Sequence, residues 1–515
     1  MIILKAMQLG LEMGGKAVAI MNSQDAERLG VLGLARITIR FGMVEHTAIV
    51  HTSPDLIHPG HIGIGKKAWI ELGLAEGLNV EVEAAPFPAS LFFIRNKLSG
   101  RKLVNEEILE IVKDTVAERL SDVEIAAFVT ALHNFRLDLD EATSLSLAMV
   151  KTGGKLKLDK QPIVDKHSIG GVPGDKTTLL AVPIVAACGL TIPKSSSRAI
   201  TSASGTADRA EVLMPVSLDV DEMQKVVEKT NGCIVWGGAI DLSPADDIFV
   251  KIEYPLSIDP LLLPSIMSKK KAVGANILVI DIPCGRGTKV KTIGEADLLA
   301  KDFMEIGRRL EIQVRCAVTY GEQPLGYAIG PSLEAKEALE ALMNRGNSPD
   351  LVEKAVSIAG IILEMAGKSE GKKLATEALR SGKAENKMRV IIAAQGGNSQ
   401  IDLDDIPIGK EHFTIQSDRS GNLLWINNAS VASLARFLGC PKDSSAGILL
   451  HKKLGDAVKR GEPLFTFYSE RGTNLQRAID ELEDFEVMGI GNRMEMLIHE
   501  VRERPVTERA ILLDR

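Results

Sequence analysis

Two short segments constrain this chain more than anything else in it: Lys166-His167-Ser168-Ile169-Gly170-Gly171, and Ser195-Ser196-Ser197-Arg198 with Ser204-Gly205-Thr206 close behind. The first follows the apolar run Pro162-Ile163-Val164 and opens into Thr177-Thr178-Leu179-Leu180-Ala181-Val182, an order that predicts strand, glycine-rich turn and helix N-terminus. Such a turn exposes backbone N–H groups, and the helix dipole favours an anion in front of them. Lys166 adds a point charge, and Ser168, Thr177 and Thr178 add hydroxyl donors at the same strand end. The second segment repeats the device after Leu190-Thr191-Ile192-Pro193, with small residues that let a backbone approach closely. Either segment alone is also what an ordinary turn looks like; together they predict two halves of one oxyanion cradle. The cradle is not a Walker loop, because no Gly-x-x-x-x-Gly-Lys-Ser/Thr run occurs. Nor is it a dinucleotide fingerprint, because Gly170-Gly171-Val172-Pro173-Gly174 has the wrong spacing.

A chain of 515 residues can hold several cores, and its length predicts about three domains. A net charge of −7 argues against a nucleic-acid partner, and no basic stripe interleaved with aromatics offsets it. Cys188, Cys233, Cys284, Cys316 and Cys440 are odd in number and form no Cys-x-x-Cys pair, so they are expected to be reduced, mostly buried thiols of a cytosolic protein. The start of the chain lacks a sustained apolar stretch with a cleavage site, and no apolar run approaches about 18 residues, so the expected place is the cytoplasm with no membrane partner.

Residues 1 to 87 alternate strand-like runs (Ala17–Ile20, Arg36–Ile39, Thr47–Val50, Val80–Glu83) with two short helical patterns, predicting a small α/β domain. His51, Asp55, His58 and His61 have no i, i+4 helical frame and are expected to be a solvated loop, not a metal site. From residue 95 to 158 the pattern is helical, with Asn105 ahead of Glu106-Glu107-Ile108-Leu109 and a capping box at Ser121-Asp122-Val123-Glu124. Residues 159–242 and 273–415 alternate strands such as Ile277–Asp281 and Val314–Val318 with helices such as the one from Ser332, which argues for a mainly parallel sheet with ligands at its carboxyl edge. Residues 416–515 read as strands joined by tight turns, an α+β unit.

The segments Asp165-Lys166-His167-Ser168-Ile169-Gly170-Gly171, Ala186-Ala187-Cys188-Gly189, Ser204-Gly205-Thr206-Ala207-Asp208 and Ser265-Ile266-Met267-Ser268-Lys269-Lys270 resemble the nucleoside phosphorylase-II family in order and spacing. That family contains thymidine and pyrimidine-nucleoside phosphorylases and shares its fold with anthranilate phosphoribosyltransferase. Within it, the second loop, Ser197 to Ser202, and the additional N-terminal domain resemble the archaeal-type AMP phosphorylase branch. The resemblance implies a helical subdomain completed by an excursion over residues 243–272, a large α/β domain, and a homodimer or larger assembly formed through the helical subdomain. It implies small-molecule substrates, a nucleoside 5′-monophosphate and inorganic phosphate as co-substrate, with no cofactor and no metal. The reaction would be reversible phosphorolysis of AMP to adenine and ribose 1,5-bisphosphate in nucleotide catabolism, with CMP and UMP as further substrates.

By the same resemblance, phosphate falls to Lys166, Ser168, Thr178, Ser196 and Thr206. The nucleotide falls to Gly171, Ser197, Arg198, Ala199, Ile200, Thr201, Ser202, Thr206, Ser265, Lys269 and Lys289, with His167 touching the base and Asp259 as proton donor. Ser265 and Lys269, four apart, project from one helix face, whereas Lys270 and Lys271 read as a solvated charge run. The nearby Lys166 disfavours an imidazolium at His167. Asp259 serves as an acid provided that Leu256, Ile258 and Leu261 to Leu263 enclose it in apolar surroundings. The arginine with which pyrimidine phosphorylases read the base has Ile252 or an adjacent residue in its place. Three rivals remain: a pyrimidine-nucleoside phosphorylase, a Mg²⁺-dependent phosphoribosyltransferase of the anthranilate type, and a catalytically silent nucleotide sensor. Against the second, no acidic pair near the cradle is assignable to a metal diphosphate.

Overall fold

The computed structural model describes residues 1–10, 18–199 and 202–492. Ile200 and Thr201 of the second loop lie outside the described residues.

The N-terminal strands Ile2–Gln8, Val18–Asn22, Arg36–Phe41, Val44–Ser53, His61–Ile64 and Asn79–Ala84 close into a barrel. Alternate residues such as Leu4, Ala6, Ile37, Ile39, Val80 and Val82 fill it. The first strand closes it by pairing with both His61–Ile64 and Asn79–Val82. Closure is absent from the local pattern because it depends on partners far away in sequence. Arg36, buried, leaves the barrel to pair with Glu124 of the helical domain and donates to the carbonyl of Arg119 at 2.5 Å. His51 and His61 are partly exposed and Asp55 and His58 exposed, and among the described residues no group of His, Cys, Asp or Glu is arranged to hold a metal ion.

The helices Ser90–Leu98, Asn105–Val116, Asp122–Phe135 and Leu139–Thr152 pack together, and the later helices Pro244–Leu256 and Leu262–Ala272 return to them. Ala245, Phe249 and Leu261 enter the same apolar cluster as Ile108, Phe128 and Leu145. Ser121 caps its helix as expected, its backbone N–H donating to Glu124 Oε2 at 2.7 Å. Asn105 is instead the first helical residue; Val104 holds the cap position, and its N–H donates to Glu107 Oε2 at 3.1 Å.

In the large domain Gln313–Tyr320, Ile277–Cys284 and Val164–Ser168 form a parallel sheet. The parallel pair Ile192–Ser196 and Gly232–Trp236 extends it through a bridge between Ile163 and Thr191. The helix Thr177–Ala187 is apolar after its first two residues and buried from Thr177 to Ala186, as a helix without a polar face must be. It packs between Pro349–Met365 and Lys383–Ala394. The C-terminal unit joins the antiparallel sheets around Pro463–Ser469 and Gly421–Ile426 to the helices Asn428–Phe437 and Gly472–Asp480. The expected fold class therefore holds. All five cysteines are free, but only Cys233 and Cys440 are buried, so the expectation of mostly buried thiols fails for the other three. Among the described residues no helix is long and apolar enough to cross a membrane.

Candidate active site

The strands Val164–Ser168, Ile192–Ser196 and Gly232–Trp236 all end at one edge of the parallel sheet, and the helices Pro244–Leu256 and Leu262–Ala272 face that edge. Between them lies a cavity of about 660 Å³. Its wall joins His167, Ser196, Ser197, Arg198 and Lys289 from the sheet edge to Asp259, Ser265 and Lys269 from the facing helices and the loop between them. Eight of the residues expected from the sequence thus share one space.

The remaining expected residues among those described flank the wall without forming it. Lys166, in the middle of its strand, is 2% exposed. Burial lowers the pKa of its ammonium group, while Asp175 and Asp281 favour the charged form. The Ser168 hydroxyl lies 3.4 Å from Asp175 Oδ2, and Thr178 is buried in the first turn of its helix. Gly171 adopts φ +95°, and a Cβ there would stand 3.0 Å from the backbone N of Lys289, so the glycine turn packs directly on the Lys289 segment. Ala199 lines a smaller cleft beside Pro441 and Lys442. The Ser202 hydroxyl donates to Ser204 O at 3.3 Å, and Thr206 begins the helix Thr206–Glu211.

Residues that no local signal marks brace the first half of the cradle and tie it to the second. Lys354, on the helix Pro349–Met365, sets its ammonium 3.0 Å from Asp175 and 2.8 Å from Asp281. Although burial works to raise the Asp175 carboxyl, Lys354 and Lys166 hold it well below the usual carboxylate range. Arg209 donates to Asp175 O in the first loop, and to Ser204 O at 2.6 Å and Gly205 O at 3.0 Å in the second. Asp208 Oδ2 accepts the N–H groups of Ala199 at 2.7 Å and Gly205 at 2.8 Å, cinching the second loop at both ends. Ser195 Oγ, on the cavity wall, and Thr177 Oγ1 are buried without a hydrogen-bond partner among the described residues. Buried hydroxyls are rarely left unpaired, so both are available to an anion. Ser196, by contrast, donates its hydroxyl to Val235 O at 3.0 Å.

Behind His167, Lys270 places its ammonium 2.7 Å from Asp165 Oδ2, and Lys194 lies 3.9 Å from Oδ1. Lys270 is 1% exposed and is not a solvated charge. That expectation fails because the helix turns this face onto the buried Asp165. Lys271 is half-buried too, donating to Leu310 O at 2.7 Å. Burial first, then Lys270, Lys194 and Lys166, push the His167 imidazole far below its ordinary value, so it is neutral at physiological pH. The expected direction is right, but enclosure is the larger cause.

On the opposite wall Lys269 pairs with the buried Asp246 at 2.5 Å, which raises the Lys269 ammonium against the effect of its own burial. The Arg198 guanidinium stacks 4.9 Å over the Trp236 ring and is spent on Glu211 and Asp208. Asp259 departs from the apolar surroundings expected for it. Its side chain is 44% exposed and its carboxylate lies 2.6 Å from Lys289 Nζ. Ile252 packs toward the helical core, whereas its neighbour Lys251 lines the cavity.

Residues 160–385 match the family described as "Glycosyl transferase family, a/b domain", residues 93–153 its helical bundle domain, and residues 425–486 the "Pyrimidine nucleoside phosphorylase C-terminal domain". A protein of Thermofilum pendens named AMP phosphorylase is 47% identical over 96% of this chain and 97% of its own length. One of the same name from Thermococcus sibiricus is 50% identical over 84% of this chain and 87% of its own. The solved structure of anthranilate phosphoribosyltransferase from Thermus thermophilus shares the fold, with a TM-score of 0.50 at 20% identity, over 59% of this chain and 98% of that one. A cavity at the carboxyl edge of those matched domains, and near half identity over nearly the whole length, lead to one conclusion: the chain belongs to the glycosyltransferase family that holds the AMP phosphorylases and pyrimidine nucleoside phosphorylases.

Proposed function

We propose that this enzyme catalyses reversible phosphorolysis of AMP, giving adenine and ribose 1,5-bisphosphate, and that it accepts other nucleoside 5′-monophosphates such as CMP and UMP. The observation that supports this reading is the single cavity joining the hydroxyl-rich loop ends to Asp259, Ser265, Lys269 and Lys289. It lies in a chain 47% identical to a protein named AMP phosphorylase. A phosphate dianion held by Lys166 and the surrounding hydroxyls is placed to attack C1′ as the N-glycosidic bond breaks. Neutral His167 can hydrogen-bond the base without adding charge, and Asp259 is the acid that the family resemblance assigns. No cofactor or metal enters this scheme; phosphate is a co-substrate. We also propose a cytoplasmic homodimer or larger homo-oligomer, acting on small molecules and not on nucleic acid or membranes.

The test is to incubate the protein with AMP, CMP, UMP, GMP, adenosine and thymidine in phosphate buffer, and to resolve free base from sugar phosphate. Release of adenine from AMP but little from adenosine is the expected result. A site built on charged donors rejects an analogue lacking the partner by up to about 10⁴-fold. Comparable efficiency on thymidine and AMP would replace this reading with a pyrimidine-nucleoside phosphorylase.

A further inference from the structure

Lys166 and Ser168 point to the same face of the parallel sheet, because side chains alternate along a strand. Asp281 stands in register with Ser168 on the neighbouring strand, so its carboxylate is on that face too. Asp175 reaches the same place from the loop after the glycine turn. Its Oδ1 accepts the N–H of Thr177 at 3.1 Å, and its Oδ2 lies 3.4 Å from the Ser168 hydroxyl. Two carboxylates thus stand among the groups expected to hold a phosphate, where unopposed they would repel it. Neither pairs with Lys166. Both bind Lys354 instead, at 3.0 Å from Asp175 and 2.8 Å from Asp281, and among the described residues no carboxylate lies within ion-pair distance of the Lys166 ammonium.

We propose that Lys354 is a positioning residue for phosphate: held on Asp175 and Asp281, its ammonium neutralises the carboxylates beside Lys166 and leaves the Lys166 charge to the incoming anion. This rests on the phosphorylase reading above, in which phosphate is a substrate. The ammonium groups of Lys166 and Lys354 balance the carboxylates of Asp175 and Asp281, so a phosphate dianion meets no net repulsion from them. Without the Lys354 charge the balance turns negative, and Lys166 is drawn onto the carboxylates and away from the substrate. Arg209, which donates to Asp175 O, is itself paired with Glu334 at 2.9 Å and leaves that balance unchanged.

The placement of Lys354 suits that role. It comes from the helix Pro349–Met365, which packs on the strands Val164–Ser168 and Ile277–Cys284 and on the helix Thr177–Ala187. Lys354 is 7% exposed and Asp281 is fully buried. Solvent screens an enclosed pair of this kind very little, so removing one partner leaves its opposite charge uncompensated. The carboxylates are also fixed in place. Thr319 donates its hydroxyl to Asp281 Oδ1 at 2.5 Å, and Asp175 is held by Thr177 N–H. Neither can turn away from the cradle, so its charge has to be met where it stands.

The experiment measures KM for phosphate and for AMP, beside calorimetric binding of inorganic phosphate to the free enzyme, in wild type, Lys354→Met, Asp281→Asn and the double variant. Methionine keeps most of the length of the lysine without its charge, and asparagine keeps an acceptor for the Thr319 hydroxyl. Lys354→Met is expected to weaken phosphate binding and raise its KM by about 10²-fold, with KM for AMP changed less than about threefold. Asp281→Asn, with one negative charge fewer, is expected to bind phosphate more tightly than wild type, and the double variant to return to within about tenfold of wild type. A structural role would weaken phosphate binding in every variant and would not order the variants by charge. Equal loss of phosphate and AMP affinity, a double variant as weak as Lys354→Met, or weaker phosphate binding in Asp281→Asn would overturn the positioning role. If Lys354→Met does not fold, Asp281→Asn and the double variant against wild type still decide it. The phosphorylase reading fails separately, if wild type does not release adenine from AMP while the calorimetric order of phosphate binding holds.

Discussion

Replacing Gly205 with alanine adds one methyl group at the point where the second loop folds back on itself. Gly205 has φ −87° and ψ 168°, a conformation open to any residue, so the effect is steric and not a matter of backbone strain. The new Cβ would stand 2.4 Å from Ala199 N, 2.5 Å from Arg198 C and 2.7 Å from Ser197 O. All three are backbone atoms, so no flexible side chain can swing away. Ordinary carbon contacts lie near 3.5–4.0 Å, so the loop has to retreat by about 1 Å. Retreat is opposed by Asp208, whose Oδ2 holds both Ala199 N and Gly205 N at 2.7 and 2.8 Å. Overpacking of this kind costs about 1–3 kcal/mol, and loss of one charge-assisted hydrogen bond costs about 1.5–3 kcal/mol more. In a site that orients two substrates, a displacement of about 1 Å lowers efficiency by about 10²-fold. Initial rates at limiting phosphate and at limiting AMP, beside thermal unfolding by circular dichroism, measure both effects. Gly294→Ala is the control, because a Cβ on that helical glycine meets nothing within 4 Å, so activity should stay intact with a small gain in stability. A Gly205→Ala variant with wild-type efficiency in both substrates would refute the close-packed loop as a determinant of the site.

Lys166→Ala should reduce phosphate use far more than nucleotide binding, by about 2–4 kcal/mol in transition-state stabilisation if the ammonium meets developing charge; unchanged kinetics at limiting phosphate would remove it from the cradle. Asp259→Asn should slow AMP turnover by about 10²–10⁴-fold with little change in affinity, and slow 7-methylguanosine 5′-monophosphate much less; equal slowing makes Asp259 a positioning residue. Glu337 accepts Tyr327 N at 2.8 Å and Ala328 N at 3.0 Å and pairs with the fully buried Lys176, which together hold its carboxyl below the ordinary value of 4.5 despite burial. Its contribution to stability is therefore complete above that ordinary value and is lost as pH falls through the lower folded value. Glu337→Gln, which strands the Lys176 ammonium, should cost about 3–5 kcal/mol in urea unfolding at pH 7 and weaken the acid dependence. An unchanged urea midpoint would show that the pair contributes nothing.

The cradle's two halves were legible because strand, glycine turn and helix start are local events, written within a few residues of Lys166 and of Ser196. The same holds for Ser265 and Lys269, whose spacing puts them on one helical face and, in the structure, on one cavity wall. Family resemblance added the partners expected across that cavity. Local sequence did not mark Lys354, which braces the first half, or Arg209, which ties the halves together, because each sits in an ordinary helix and gains its meaning from carboxylates and carbonyls distant in sequence. Barrel closure has the same cause. Lys270 shows the limit from the other side: its position in a Lys-Lys-Lys run reads as a solvated charge, yet the chain buries it on Asp165. Protonation states belong to this second class throughout. Asp259 and Glu253 are both carboxyls near the same helix end, and nothing in their neighbours in sequence makes one ion-paired and half exposed and the other enclosed beside a like charge. Sequence sets which groups exist and which face of a helix or end of a strand they occupy. Tertiary structure alone decides which charges share a low-dielectric space, because desolvation and charge pairing depend on distance in three dimensions and not along the chain.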